Sequence, residues 1–229
     1  MLWETLLNPR KRLASSTPGR TFPAMTSFAN LAAIMLAAGF SRRMGGENKL
    51  LKPLGGKPLI AHALAAASGL GLGQLIVVLG GAGDAIAPLL PASATAIRNA
   101  RAAEGMGASL GVGAARLDPA MAGCFVVLAD MPFVTGLDYQ ALAAAFLAQG
   151  GDAICVPLHD GRRGHPVLFP ARHFPNLAAS HGDSGARRLL ADPATDIREV
   201  EGCSAGVLAD FDDPAAFAEH RRAEARKSR

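Results

Sequence analysis

Leu36-Ala37-Ala38-Gly39-Phe40-Ser41-Arg42-Arg43-Met44-Gly45, followed by Asn48-Lys49-Leu50-Leu51, decides how the chain is read. The apolar run from Leu31 to Leu36 feeds into small residues and then into a loop holding glycine, serine, two arginines and a lysine. That order describes a buried strand ending in a phosphate-binding loop. Gly39 and Gly45 let backbone N–H groups approach a ligand, while Arg42, Arg43 and Lys49 bring positive charge for several adjacent phosphates. A nucleoside triphosphate suits such a loop; a Gly-rich surface turn with solvated arginines is the plainer alternative. Other phosphate motifs fit less well. Gly55-Gly56-Lys57 is followed by Pro58 rather than a hydroxyl residue, so the G-x-x-x-x-G-K-[ST] pattern is not met. Gly69-Leu70-Gly71-Leu72-Gly73 precedes a strand instead of following one, and Gly81-Ala82-Gly83 lacks a third glycine, so both are weak dinucleotide fingerprints.

Outward from this loop the chain alternates strand and helix. The first strand is residues 31–37. Pro58 opens a helix through Leu59, Ile60, Leu64 and Ala67 that ends near Gly69, with proline first and glycine last. Residues 74–79 read as a second buried strand, 84–90 as a short helix and 95–98 as a third strand. Gly105 to Gly113 opens the next helix, 124–128 is the most strand-like run, 137–149 an alanine-rich helix and 153–157 another strand. A polar hairpin-like turn from Asp160 then runs into a strand at Val167 to Phe169. This alternation predicts an α/β fold in three layers, with a mostly parallel central sheet and ligands at the carboxyl ends of its strands.

The 229 residues suit one such domain, and half of them are hydrophobic, enough for a sizeable core. We divide the chain into a disordered leader (1–29), the domain proper (30–219) and a basic tail (220–229), with Met25 an alternative start. The net charge of +4 resides at the ends: residues 1–24 carry +3 and residues 220–229 carry +4, which leaves the body at −3. A groove for nucleic acid across the body is therefore not expected. Cys124, Cys155 and Cys203 are widely spaced and read as three small buried thiols in a reducing cytoplasm. No apolar run reaches the ~18 residues of a membrane span. Leu31 to Phe40 superficially resembles a secretory signal, but cleavage there would remove the loop that carries the chemistry.

Several polar groups follow strands. Gly105, Gly107, Ala108 and Ser109 make backbone accessible at a helix start that could receive a polar ligand, with helix capping as the alternative. Asp130, before Met131-Pro132, stands where a magnesium ion would find a carboxylate at a strand's end, or where an aspartate would cap the turn. His159 and His165 lack the further ligands of a metal site. Asp183 is a candidate N-cap for a helix through Leu190, and Asp210, Asp212 and Asp213 precede a final helix begun by Pro214.

LAAGFSRRMG with NKLL resembles the signature loop of nucleotidyltransferases related to the enzymes of molybdenum cofactor maturation. Asn99 with Glu104-Gly105-Met106-Gly107-Ala108-Ser109-Leu110, Leu128-Ala129-Asp130-Met131-Pro132, Gly164-His165-Pro166-Val167, Gly182-Asp183-Ser184-Gly185-Ala186-Arg187 and Asp210-Phe211-Asp212-Asp213-Pro214 follow in family order. Together they resemble the molybdenum cofactor cytidylyltransferase branch over roughly residues 30–219. The resemblance implies a Rossmann-like nucleotidyltransferase fold and transfer of CMP from CTP to the phosphate of molybdenum-bound molybdopterin. It implies Arg43, Lys49 and Asp130 as catalytic residues, and Asp130 with Asp212 as ligands of Mg²⁺. Ala37, Ala38, Gly39, Ser41, Arg42, Arg43, Lys49, Asn99, Gly105 and Ser109 would bind the nucleotide. Arg163, His165 and Asp183 would face the acceptor, and a recipient molybdoenzyme is a possible partner. Ala38 bears on the base, because relatives using GTP commonly have glycine there. The alternatives are another pyrimidine or GTP-dependent nucleotidyltransferase, a cofactor-binding chaperone, and a dinucleotide-dependent oxidoreductase.

Overall fold

The computed structural model describes residues 28–39, 48–183 and 185–211. Strand β1 (Leu31–Ala37) is almost wholly buried and sits in the middle of the main sheet. After it come β2 (Pro53–Leu54) and β3 (Lys57–Pro58), which form a small antiparallel ribbon, then helix α1 (Leu59–Ser68), strand β4 (Gln74–Leu79), helix α2 (Gly83–Ile86) and strand β5 (Ala94–Arg98). Helix α3 (Met106–Ala114), strand β6 (Gly123–Leu128), helix α4 (Gly136–Ala148), and strands β7 (Ile154–His159), β8 (Arg162–Arg163) and β9 (Val167–Pro170) follow. Helices α5 (Phe174–Ala178) and α6 (Arg187–Ala191) and strand β10 (Ile197–Val200) complete the regular elements.

The sheet runs β10-β7-β9-β6-β1-β4-β5, with β8 on β7. The pairs β4–β1, β1–β6, β4–β5 and β7–β10 are parallel; β9 alone runs against both of its neighbours. The expected mostly parallel sheet is present, and the reversed strand is an addition that the apolar pattern of Val167 to Phe169 does not encode.

Period-two alternation in β1 sorts the core into two layers. Leu31, Ala33, Met35 and Ala37 share one cluster with Leu59, Ile60 and Leu64 of α1 and Tyr139, Leu142 and Phe146 of α4. Ala32 and Ile34 face the other cluster, with Leu110 of α3 and Leu177 of α5. Helices therefore cover both faces of the sheet. Phe28, assigned from sequence to the leader, is 1 % exposed and belongs to the first cluster. Its N–H donates to the Leu70 carbonyl.

Helix α3 lies unusually close to the sheet because it is built from glycine on that side. A Cβ at Gly113 would stand 2.7 Å from Ile34 Cγ2 and 2.9 Å from Val78 Cγ2. The three cysteines are buried and free, as their spacing implied. No helix among the described residues is long and apolar enough to cross a membrane.

Candidate active site

The carboxyl ends of the central strands form one rim. The register of β1 with β6 sets Leu36 against Leu128, and the Ala129 N–H donates to the Leu36 carbonyl at 3.3 Å. The Ala37–Gly39 turn and Asp130 therefore leave the sheet side by side. Among the described residues, nothing lies within 4 Å of where a Cβ at Gly39 would stand. Gly80, at the end of β4, closes the floor: a Cβ there would come within 2.6 Å of the Ala38 carbonyl oxygen.

Lys49 and Asp130 meet on this rim, Nζ to Oδ2 at 2.5 Å, although they are 81 residues apart in sequence. Their side chains are 15 % and 18 % exposed, sheltered but open to solvent on one side. Lys49 begins a single helical turn, Lys49–Leu51, capped by Asn48, whose side-chain oxygen accepts from the Leu50 N–H at 2.9 Å. Asp130 follows β6 by two residues, and its carbonyl accepts from the Phe211 N–H at 3.1 Å.

The reversed strand β9 gives the rim a further side chain. Because β9 is antiparallel to β6, with Val167 paired to Val126, its amino end reaches the edge where β6 delivers its carboxyl end. His165, just before β9, thereby comes under the charge of Asp130. Burial pulls its imidazole pKa down to about 4, while the Asp130 charge and a bond with the Val126 backbone oppose that shift and the Arg187 charge reinforces it. The ring is neutral near pH 7. Arg187, part of a quoted motif but given no role from sequence, is thus close enough to His165 to be felt electrostatically. Residue type and position offered no signal for that proximity.

Asn99 and Ser109 are brought together beside β5. The Asn99 N–H donates to the Leu79 carbonyl at 2.8 Å, its Oδ1 accepts from the Arg101 N–H at 2.9 Å, and its Nδ2 donates to Ser109 Oγ at 3.0 Å. Both are about 5 % exposed. Ser109 therefore secures Asn99 rather than capping α3. The start of α3 is also less open than its glycines imply. The Gly107 N–H donates to the Gly182 carbonyl at 2.7 Å, and Gly105, at φ +118°, lies so close to Asp183 that a Cβ would collide with Oδ1. These small residues bring the 181–185 loop against the helix; ligand access is not what they provide at Gly107.

Asp183 is not the N-cap of the following helix. Gly182 and Gly185 both have positive φ and turn the chain before Ala186, which occupies the cap position of α6 with no side-chain bond. Arg163 pairs with Glu199 of β10 at 2.7 Å, at the sheet edge. Ala37 and Ala38 are buried at 2 % and 5 %, and Ala38 packs in the cluster that includes Ala102 and Leu110, so its methyl is engaged with the core. Ser41, Arg42, Arg43 and Asp212 lie outside the described residues. Among the described residues no cluster of three or more His, Cys, Asp or Glu side chains could hold a metal ion.

With this geometry in view, the pattern of the MobA-like NTP transferase domain matches residues 33–200, most of the chain. The chain belongs to this family. The bifunctional protein GlmU of Jannaschia sp. is 31 % identical over 186 residues, covering 78 % of this chain but only 38 % of its own length. The crystal structure of the Mycobacterium tuberculosis Rv0371c homologue from Mycobacterium sp. strain JC1 superposes with a TM-score of 0.73 at 30 % identity, over 86 % of this chain and 98 % of that one. Rv0371c of M. tuberculosis H37Rv in complex with manganese gives a TM-score of 0.65 at 26 % identity, over 83 % and 97 % of the two chains. The chain spans about two fifths of the length of the curated GlmU relatives that it matches.

Proposed function

We propose that the protein transfers CMP from CTP to the phosphate of molybdenum-bound molybdopterin and releases pyrophosphate. The observation that carries the transfer chemistry is the Lys49–Asp130 pair on the rim where the Ala37–Gly39 turn leaves β1. The choice of CTP and of the acceptor rests on the sequence motifs from Asn99 to Asp212 that resemble the cytidylyltransferase branch.

A phosphate oxygen of the acceptor attacks the α-phosphorus in line, and the bond from that phosphorus to the bridging oxygen of the departing pyrophosphate breaks. An acceptor phosphate monoester is already ionised near neutral pH, so the step needs positioning and charge neutralisation more than a strong base. A neutral His165 fits that requirement: it can orient an acceptor without adding charge. In the free protein the Lys49 ammonium neutralises Asp130. An incoming triphosphate would compete with Asp130 for Lys49 and free that carboxylate. One or two carboxylates completed by phosphate oxygens and water are the donor set of Mg²⁺, and Asp130 with Asp212 would supply them. When bound, the cation neutralises phosphate charge. That Rv0371c of M. tuberculosis forms a complex with manganese supports a divalent cation as a partner of this chain. Arg42, Arg43 and Lys49 would hold the triphosphate, and Asp183 with His165 would line the acceptor side.

The likeness to GlmU favours, as a second reading, a different nucleotide and acceptor within the same chemistry. A melting-temperature panel of CTP, GTP, ATP, UTP and NADPH, each with and without Mg²⁺, separates these readings, since a ligand of the folded state raises its melting point. Selective, Mg²⁺-dependent stabilisation by CTP is expected. A preference for GTP moves the protein to a guanylyltransferase role, and a response to NADPH alone overturns the class.

A further inference from the structure

Strands β5, β4, β1 and β6 are mutually parallel, so helix α3, which joins β5 to β6, starts at the rim and runs back along the sheet. The chain after α5 climbs this helix toward its amino end, and close contacts mark the ascent. The Ala178 and Ser180 carbonyl oxygens lie 3.0 and 2.6 Å from where a Cβ at Gly111 would stand. Those of His181 and Gly182 lie 2.6 and 2.7 Å from the same point at Gly107, and Asp183 Oδ1 crowds it at Gly105. Gly111, Gly107 and Gly105 thus form a track on which backbone can lie because no side chain stands in the way.

At the rim end of the track Gly182 and Gly185, at φ +58° and +47°, turn the chain into α6, whose first residue is Arg187. Ala186, Leu189 and Leu190 pack against the core cluster that holds Leu110 and Leu177, whereas Arg187 and Arg188 are exposed. His165 reaches the rim by another route, at the amino end of β9. Its buried imidazole feels the charges of both Asp130 and Arg187. Two independent paths through the fold therefore bring a buried imidazole and a solvent-accessible guanidinium together on one side of the rim. Arg188 follows one residue later, about 100° around the helix, and leaves it in another direction.

A phosphate monoester brings roughly two negative charges near neutral pH. Lys49 is engaged by Asp130 and, in the proposed reaction, by the triphosphate, while His165 is neutral. The acceptor's charge needs a different partner, and a guanidinium offers phosphate two parallel N–H donors. We propose that Arg187 binds the phosphate of the acceptor beside His165, with the glycine track of α3 fixing its place. The inference rests on the reading that the acceptor is a phosphate monoester, and it extends to any acceptor of that class.

The test uses the full chain and two probes. Inorganic phosphate is titrated by calorimetry into protein saturated with Mg²⁺ and the nucleotide that the melting panel selects, and transfer to molybdenum-bound molybdopterin is assayed in parallel. Arg187→Gln should weaken phosphate binding at least about tenfold and raise the acceptor KM by a similar factor. The nucleotide KM and the nucleotide-induced rise in melting temperature should not change. Arg187→Lys should recover part of the loss, and Arg188→Gln should leave phosphate affinity and acceptor KM within about twofold of wild type. Unchanged phosphate affinity in Arg187→Gln, an equal loss in Arg188→Gln, or a wild-type protein that binds nucleotide but no phosphate overturns the proposal and spares the nucleotidyltransferase reading. Phosphate binding that depends on Arg187, without transfer to molybdopterin, sustains the proposal and removes molybdopterin as the acceptor. A protein that answers to no nucleotide overturns both.

Discussion

Gly107→Ala tests the close packing of α3 against the backbone of His181, Gly182 and Gly185. Helix propensity favours the substitution by up to about 1 kcal/mol, because alanine is the better helix former. The structure opposes it. The added Cβ would stand 2.6 Å from the His181 carbonyl oxygen, 2.7 Å from that of Gly182 and 2.8 Å from the Gly185 nitrogen. Those distances are roughly 0.6–0.8 Å short of ordinary contact, and all three atoms are backbone, so no side chain can swing aside. Overpacking of this kind costs about 1–3 kcal/mol, and withdrawal of the loop loses the Gly107 to Gly182 hydrogen bond, about another 1 kcal/mol. The net expectation is a loss of about 1–3 kcal/mol, or a melting temperature lower by roughly 3–10 °C for a domain of this size. Urea unfolding should show a lower midpoint at unchanged slope, and amide exchange should rise at residues 181–185. A variant as stable as wild type, with unaltered exchange in that loop, would refute the packing argument.

Asp130→Ala should abolish cation-dependent transfer yet keep the native circular dichroism spectrum, since it removes a rim carboxylate and no core volume; full turnover in that variant would remove Asp130 from the site. Ser109→Ala strips the partner from a buried Asn99 amide and should cost about 1–3 kcal/mol by urea denaturation, with Asn99→Ala on top of it adding less than its own single effect. His165 has a folded-state pKa near 4 against an ordinary 6.5, so its neutral state gives full stability above pH 6.5 and that contribution is lost as pH falls toward 4. The loss is about 3 kcal/mol, and His165→Gln should flatten it in denaturant midpoints taken across that range. Arg163→Gln should change stability by less than about 1 kcal/mol, because its partnership with Glu199 is solvent-exposed; a larger shift in the same measurement would contradict the edge placement.

The parts of the fold legible in the sequence were those fixed by burial and by local breakers. Strand β1 was read at its observed limits because a strand covered on both faces is apolar throughout. Helix α1 is bracketed by Pro58 and Gly69 as expected. The direction of β9 was legible only from the hairpin-like turn at Asp160, since side-chain alternation is the same whichever way a strand runs. Asp183 misled because an aspartate before a helix resembles a cap, whereas the positive φ of Gly182 and Gly185 turns the chain first. Thr135-x-x-Asp138 has capping-box spacing and could have announced the start of α4. The link from Asp138 to Ser204 could not, because half of it runs through a backbone N–H common to almost every residue. Lys49 and Asp130 were each legible as candidates; their pairing depended on the register of β1 with β6.

The three buried cysteines turn this architecture into its own chemical clock. Burial pushes the Cys203 thiol up to about 11 and Cys155 to about 12, and raises Cys124 furthest, so near neutral pH none offers an appreciable amount of the thiolate that alkylating reagents require. Labelling must therefore await local opening, and each thiol times a different one. Cys124 lies in β6 and Cys155 in β7, at the heart of the sheet, while Cys203 stands just after β10, in the segment that leads to Phe211. Peptide-resolved alkylation would report the loosening of residues 203–211 separately from the melting of the sheet, without a single introduced probe.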